Sequence, residues 1–206
     1  MKSELSSNIA LMDDITTKLN VPFSLFGSSL FALFEEAIPR FKNVFEQGVE
    51  NVTYTDRYLI SPISIGLVIS IFAHVKATMG IRDFEIITCH PSPSGDKKPY
   101  CIADNFCNVD DVNDFIDSVC RTYGINVYPE FASKNDIDHG RCLTFTLTNG
   151  EVVRILFDQG MGYWATRRPY SRFRFDFDNI QAFDITTWDF NIESTGGSSY
   201  IVAHKA

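Results

Sequence analysis

The chain has no CxxC pair and no regular cysteine spacing: Cys89, Cys101, Cys107, Cys120 and Cys142 form an odd, scattered set. That excludes a disulfide framework and reads as the reduced thiols of a cytoplasmic protein. Cys89-His90 is followed by Pro91 and lacks the partners a zinc site needs, so no metal and no other cofactor is expected. There is no internal repeat and no low-complexity linker. Met1 to Asp14 lacks the basic start and apolar core of a signal peptide. The most apolar run, Leu59 to Val75, is broken by Ser61-Pro62, Ser64, Gly66, Ser70 and His74; it is short for a bilayer crossing and reads as a buried helix. Positive charge is also scarce. A net charge of −8 and a pI near 4.9 argue against a surface that grips nucleic acid or anionic lipid over its whole extent.

What is present is apolar bulk. With 206 residues, 45% of them hydrophobic and eighteen Phe, the chain can bury a sizeable core as one domain. Residues 1–48 read as an N-terminal helical segment or docking arm, with apolar positions at Phe26, Leu30, Leu33, Phe34, Ile38 and Phe41 and a break at Pro39. Residues 49–206 alternate in period. The spacing predicts a strand at Val52 to Tyr58, a helix from Ser61-Pro62 to about Thr78, and a strand at Phe84 to Thr88. A helix from Asp104 to Tyr123, closed by Gly124, and a strand at Ile125 to Tyr128 follow. Arg141 to Leu147 and Glu151 to Asp158 form a hairpin, and Arg172 to Phe177 a further strand. The order defines an α/β domain with a mixed sheet, and both apolar faces of the hairpin call for helices on both sides of it.

Asn149-Gly150 supplies the dipeptide of a two-residue type I′ turn. Counting back from it sets Arg141 against Asp158 and His139 against Gly160, with His139, Arg141 and Asp158 on one face. Two readings stay open. Arg141 offers a fork of donors to a phosphate beside a titratable imidazole, or Arg141 and Asp158 form an ion pair that closes the hairpin. Between Arg141 and Arg174 there are six arginines and no lysine, against Glu151 and Asp158, so Arg167 and Arg168 join the candidate anion contacts. Asp56-Arg57 lies near the end of the Val52 to Tyr58 strand, where ligands gather in α/β sheets, and Arg57 is a further candidate. His74 reads as a core side chain, and Tyr163-Trp164 as core or partner contact.

The strand carrying Asp56-Arg57-Tyr58, the long apolar helix, His139-Gly-Arg141, the Thr-Asn-Gly turn, Gly160-Met-Gly-Tyr-Trp164 and Ser171 to Asp178 together resemble the phospholipase D-like domain at the C-terminus of MIT-domain proteins. The resemblance covers roughly residues 50 to 192. It implies His139 in the place of the nucleophile and Arg141 in place of the phosphate-binding lysine. Thr146 stands where the motif has Asp, and no second His-x-Lys or His-x-Arg exists, so a two-histidine site would need a homodimer. The resemblance therefore implies a non-catalytic binding subunit of a larger bacterial assembly, for nucleic-acid processing or antiviral defence. It would meet a protein partner, with phosphate or nucleic acid against the arginines. The alternative is a metal-independent phosphodiesterase or nuclease that uses His139 across a dimer interface.

Overall fold

A computed structural model describes residues 9–11, 19–38, 41–91, 105–137, 140–166, 175–194 and 201–205. Among these, seven strands form the main sheet and three a small one. The main sheet contains β1 (Ile9–Leu11), β3 (Val49–Thr55), β4 (Asp83–Cys89), β5 (Asn126–Ala132), β6 (Arg141–Leu147), β7 (Val152–Phe157) and β10 (Ile201–Lys205), in the order β1-β10-β7-β6-β3-β4-β5. The small sheet sets β9 (Asn191–Ser194) between β2 (Asn20–Pro22) and β8 (Trp164–Thr166). Three helices accompany them: α1 (Phe26–Ala37), α2 (Pro62–Met79) and α3 (Val109–Tyr123).

The mixed character follows from connectivity. β3 to β4 and β4 to β5 are parallel neighbours, and each pair is joined by a helical crossover through α2 or α3, as parallel pairing requires. The other pairings are antiparallel. Ser61 caps α2 by accepting from Ser64 N at 3.2 Å, Pro62 fits the first turn, and Gly80 closes the helix in the left-handed region at φ 78°. Asn108 accepts from Asp111 N at 2.8 Å to start α3, where Asp110 and Asp111 favour the helix dipole. Lys76 Nζ then donates to Tyr123 O at 2.6 Å, tying the end of α2 to the end of α3.

α2 is buried all round as far as Phe72, because the sheet lies on one side of it and α1, Phe23 and Trp188 lie on others. It is long and apolar enough to cross a membrane, and two thirds of it is buried inside the domain. Phe72 stacks on Phe84 with ring centroids 4.5 Å apart. Residues before 49 are part of this core: Phe23, Phe26, Leu30, Phe31 and Phe34 are buried in the same cluster as β3, β4 and β6.

The α/β class and mixed sheet are as the sequence indicates. The helical cover is narrower than expected. Val52, Tyr54, Phe84, Ile86, Leu143, Phe145, Val153 and Ile155 are buried on one face, while the alternate positions stay partly or fully exposed. Thr53 and Asn51 bond Glu85, and Asn126 and Tyr128 bond Asp83, across strands on that open face. Such polar pairs need water on their side of the sheet, so the helices gather on the other.

The hairpin register differs by one residue. Gly150 N donates to Leu147 O at 2.9 Å and Leu147 N to Glu151 O at 2.8 Å, enclosing Thr148-Asn149-Gly150 as a three-residue loop with Gly150 at φ 82°. Arg141 consequently pairs with Phe157, not Asp158, and Leu143 with Ile155. Docking stabilises this longer loop: Thr148 N donates to Gly48 O at 3.2 Å, and Asn149 Nδ2 contacts Gln47 Oε1. Of the strand expected at Arg172 to Phe177, residues 172–174 lie outside the described residues, and Phe175 to Phe177 lead into a 3-10 turn over Phe177–Ala182.

Candidate functional site

Strand direction gathers the chemistry at one edge. The carboxyl ends of β3, β4, β5 and β7 and the start of β6 meet there, bringing Asp56, Arg57 and Tyr58 beside Arg141, Lys134, Asp158 and Gly160. Asp56 continues the inward alternation of Val52 and Tyr54 and is 2% exposed. Tyr54 donates its hydroxyl to Asp56 Oδ2 at 3.2 Å, and Tyr58 N donates to Asp56 Oδ1 at 2.8 Å. Arg141 Nε stands 3.6 Å from Oδ1, and Arg141 Nη1 donates to the Asp158 carbonyl.

Burial raises the Asp56 carboxyl above its ordinary value, against the opposing pull of the Tyr58 amide, Arg141, Tyr54 and Met161. Burial, and then the Asp56 charge, push the Tyr54 phenol well above its usual range. These groups satisfy one another. Gly160 makes the arrangement possible: its φ is +60°, and a Cβ there would stand 2.4 Å from both Arg141 Cδ and Asp56 Oδ2.

Of the residues singled out from sequence, Arg141, Asp158 and Arg57 share this edge. Asp158 takes part through its backbone carbonyl; among the described residues the carboxylate paired with Arg141 is Asp56, which corrects the expected Arg141 to Asp158 ion pair. The register slip is the cause, since it places Asp158 one step beyond the residue opposite Arg141. Arg57 Nε donates to Ile137 O, holding the loop between β5 and β6 against the end of β3. His139, Arg167 and Arg168 lie outside the described residues.

Tyr58 and Lys134 were not assigned roles from sequence; Asp56 entered only beside Arg57 at a strand end, and Gly160 only as the residue opposite His139. The strand alternation Val52, Tyr54, Asp56 is the signal that marks Asp56 as an inward acid in need of a cation. Tyr58 is 45% exposed, with Arg141 Cζ 5.3 Å and Lys134 Nζ 5.4 Å from its ring centroid. Burial raises the Cys89 thiol at the end of β4, and the nearby Arg57 and Lys134 charges only partly oppose that rise. Elsewhere, His74 packs 4.8 Å from Phe31 and is lowered by burial, while Tyr163 and Trp164 are core residues.

The fold and its edge define a single mixed α/β domain in which a buried acid-arginine pair shapes a cationic, aromatic rim. The chain belongs to the family of C-terminal domains of the DEAD/DEAH box helicase YjiV, whose model matches residues 10–205. That match replaces the phospholipase D-like and MIT-associated resemblance. The most specific part of that resemblance was His139-Gly-Arg141 with the Asn-Gly turn and the Gly160 to Trp164 stretch, and of these Arg141 serves here as partner of Asp56. No curated protein matches the chain.

Proposed function

We propose that this chain is a non-catalytic accessory domain of a nucleic-acid-processing helicase system, acting by contact with nucleic acid and with a protein partner in that machinery. The match to a helicase C-terminal domain over residues 10–205 carries the reading. The site geometry supports it. Asp56, Tyr54 and Arg141 are bound to one another and to the backbone of Tyr58, Met161 and Asp158, which suits positioning of a surface better than turnover. A net charge of −8 makes broad electrostatic attachment unfavourable, so contact is local and sensitive to salt.

The test uses the purified chain with labelled single-stranded and duplex nucleic acid and with ATP. Retarded mobility of nucleic acid, with neither strand cleavage nor ATP hydrolysis, is the expected result. Hydrolysis of either substrate, or no association with any nucleic acid, overturns the reading.

A further inference from the structure

The rim at the carboxyl ends of β3 and β5 carries an exposed aromatic ring, Tyr58, with two cations within 5.4 Å of its centroid. Arg141 is pinned: Asp56 and the Asp158 carbonyl hold its guanidinium, and Gly160 lies against its aliphatic stem. Lys134 is exposed, on the loop that Arg57 anchors through Ile137 O. Tyr58 is fixed at its backbone by Asp56 Oδ1, so the ring is presented from a rigid base.

We propose that Tyr58, Lys134 and Arg141 form a single-stranded nucleic-acid contact, in which a base stacks on the Tyr58 ring and Lys134 turns from that ring to the adjoining phosphate. This rests on the accessory nucleic-acid reading and deepens it by naming the ligand form and the surface. Stacking of a base on an exposed aromatic outweighs a surface cation-π contact, so the base takes the ring and releases the lysine for the backbone. Arg141, held by Asp56 and the Asp158 carbonyl, keeps its place and adds charge beside the ring. An aromatic face engages bases only where they are unpaired, and two cations in an acidic chain suit a short strand better than a duplex.

Fluorescence anisotropy of a labelled oligo-dT with the full chain tests this. Tyr58→Ala should weaken binding about tenfold, and Tyr58→Trp should retain it. Lys134→Ala should weaken binding and flatten the slope of log affinity against log salt by roughly 0.7, one phosphate contact. Arg154→Ala, exposed on β7 away from this edge, should bind as the parent does. Unchanged affinity in Tyr58→Ala, equal loss in Arg154→Ala, or equal competition by duplex overturns the site while leaving the accessory reading in place. Absence of binding to single-stranded and duplex nucleic acid alike removes both. Circular dichroism of each variant separates lost contact from lost fold.

Discussion

The Asp56 carboxylate lies 3.6 Å from Arg141 Nε, and Gly160 occupies the corner between them. A methyl group at Gly160 would meet Asp56 Oδ2 and Arg141 Cδ at 2.4 Å each, on a backbone already at φ +60°. Gly160→Ala should therefore destabilise the domain by about 2–4 kcal/mol, from left-handed strain and displacement of a buried pair. Gly162, two residues on, has nothing within 4 Å of its Cβ position and no positive φ, so Gly162→Ala should stay within about 0.5 kcal/mol of the parent. Urea denaturation of the two variants decides it; similar losses at both sites would remove the steric account.

Asp56 also links stability to pH. Burial raises its folded-state carboxyl above 3.8, so the folded protein holds this proton more tightly than the unfolded chain. The stability it contributes is fully present below the unfolded value and falls as pH rises through the folded one. Asn at this position keeps oxygen and size but not the titration. The advantage of the parent over Asp56→Asn should thus shrink as pH increases from about 4 toward neutrality, measured by denaturation at several pH values. A difference that grows with pH would show that the Arg141 attraction outweighs desolvation.

How much of this could be read beforehand depends on whether the deciding contacts are local. The spans of α2 and β6 were legible because Ser61-Pro62, Gly80 and the alternation from Arg141 to Leu147 act within a few residues. The hairpin register was not, because Gln47 and Gly48, about a hundred residues upstream, dock Thr148 and Asn149 into a longer loop. That single step moved Asp158 out of line with Arg141 and left Asp56 as the partner. Strands β1 and β10 and the small sheet were not legible because three to five residues carry too few alternations to register as strands. Arg141 and Arg57 were found as charges near strand ends, whereas Tyr58 and Lys134 acquire meaning only when loops 80 residues apart meet.

The approach of α1 to α2 offers an independent check on the core. Gly27 N donates to Ser70 Oγ at 3.1 Å, so a side chain from the middle of α2 satisfies an amide in the first turn of α1. Ser70→Ala leaves that buried amide unpaired and should cost about 1–2 kcal/mol. Gly27→Ala should cost more, since its Cβ would stand 2.2 Å from Ser70 O and force the helices apart. If Gly27→Ala proves the milder of the two in thermal denaturation, the helices can separate without loss, contrary to this packing.

Thr88 predicts a gain. It lies at the buried end of β4, 2% exposed, and its Oγ1 finds no hydrogen-bond partner among the described residues. A hydroxyl taken out of water without a partner costs free energy, so Thr88→Val, which keeps the branched shape and removes the polar atom, should stabilise by about 1 kcal/mol. Thr88→Ser does the reverse, keeping the hydroxyl and deleting a methyl, and should destabilise by roughly 1 kcal/mol or more. The order Val, Thr, Ser in denaturation midpoint, at constant dependence on denaturant, is the expected outcome. A Val variant less stable than the parent would mean that the hydroxyl is satisfied in solution and that the end of β4 is wetter than its burial indicates.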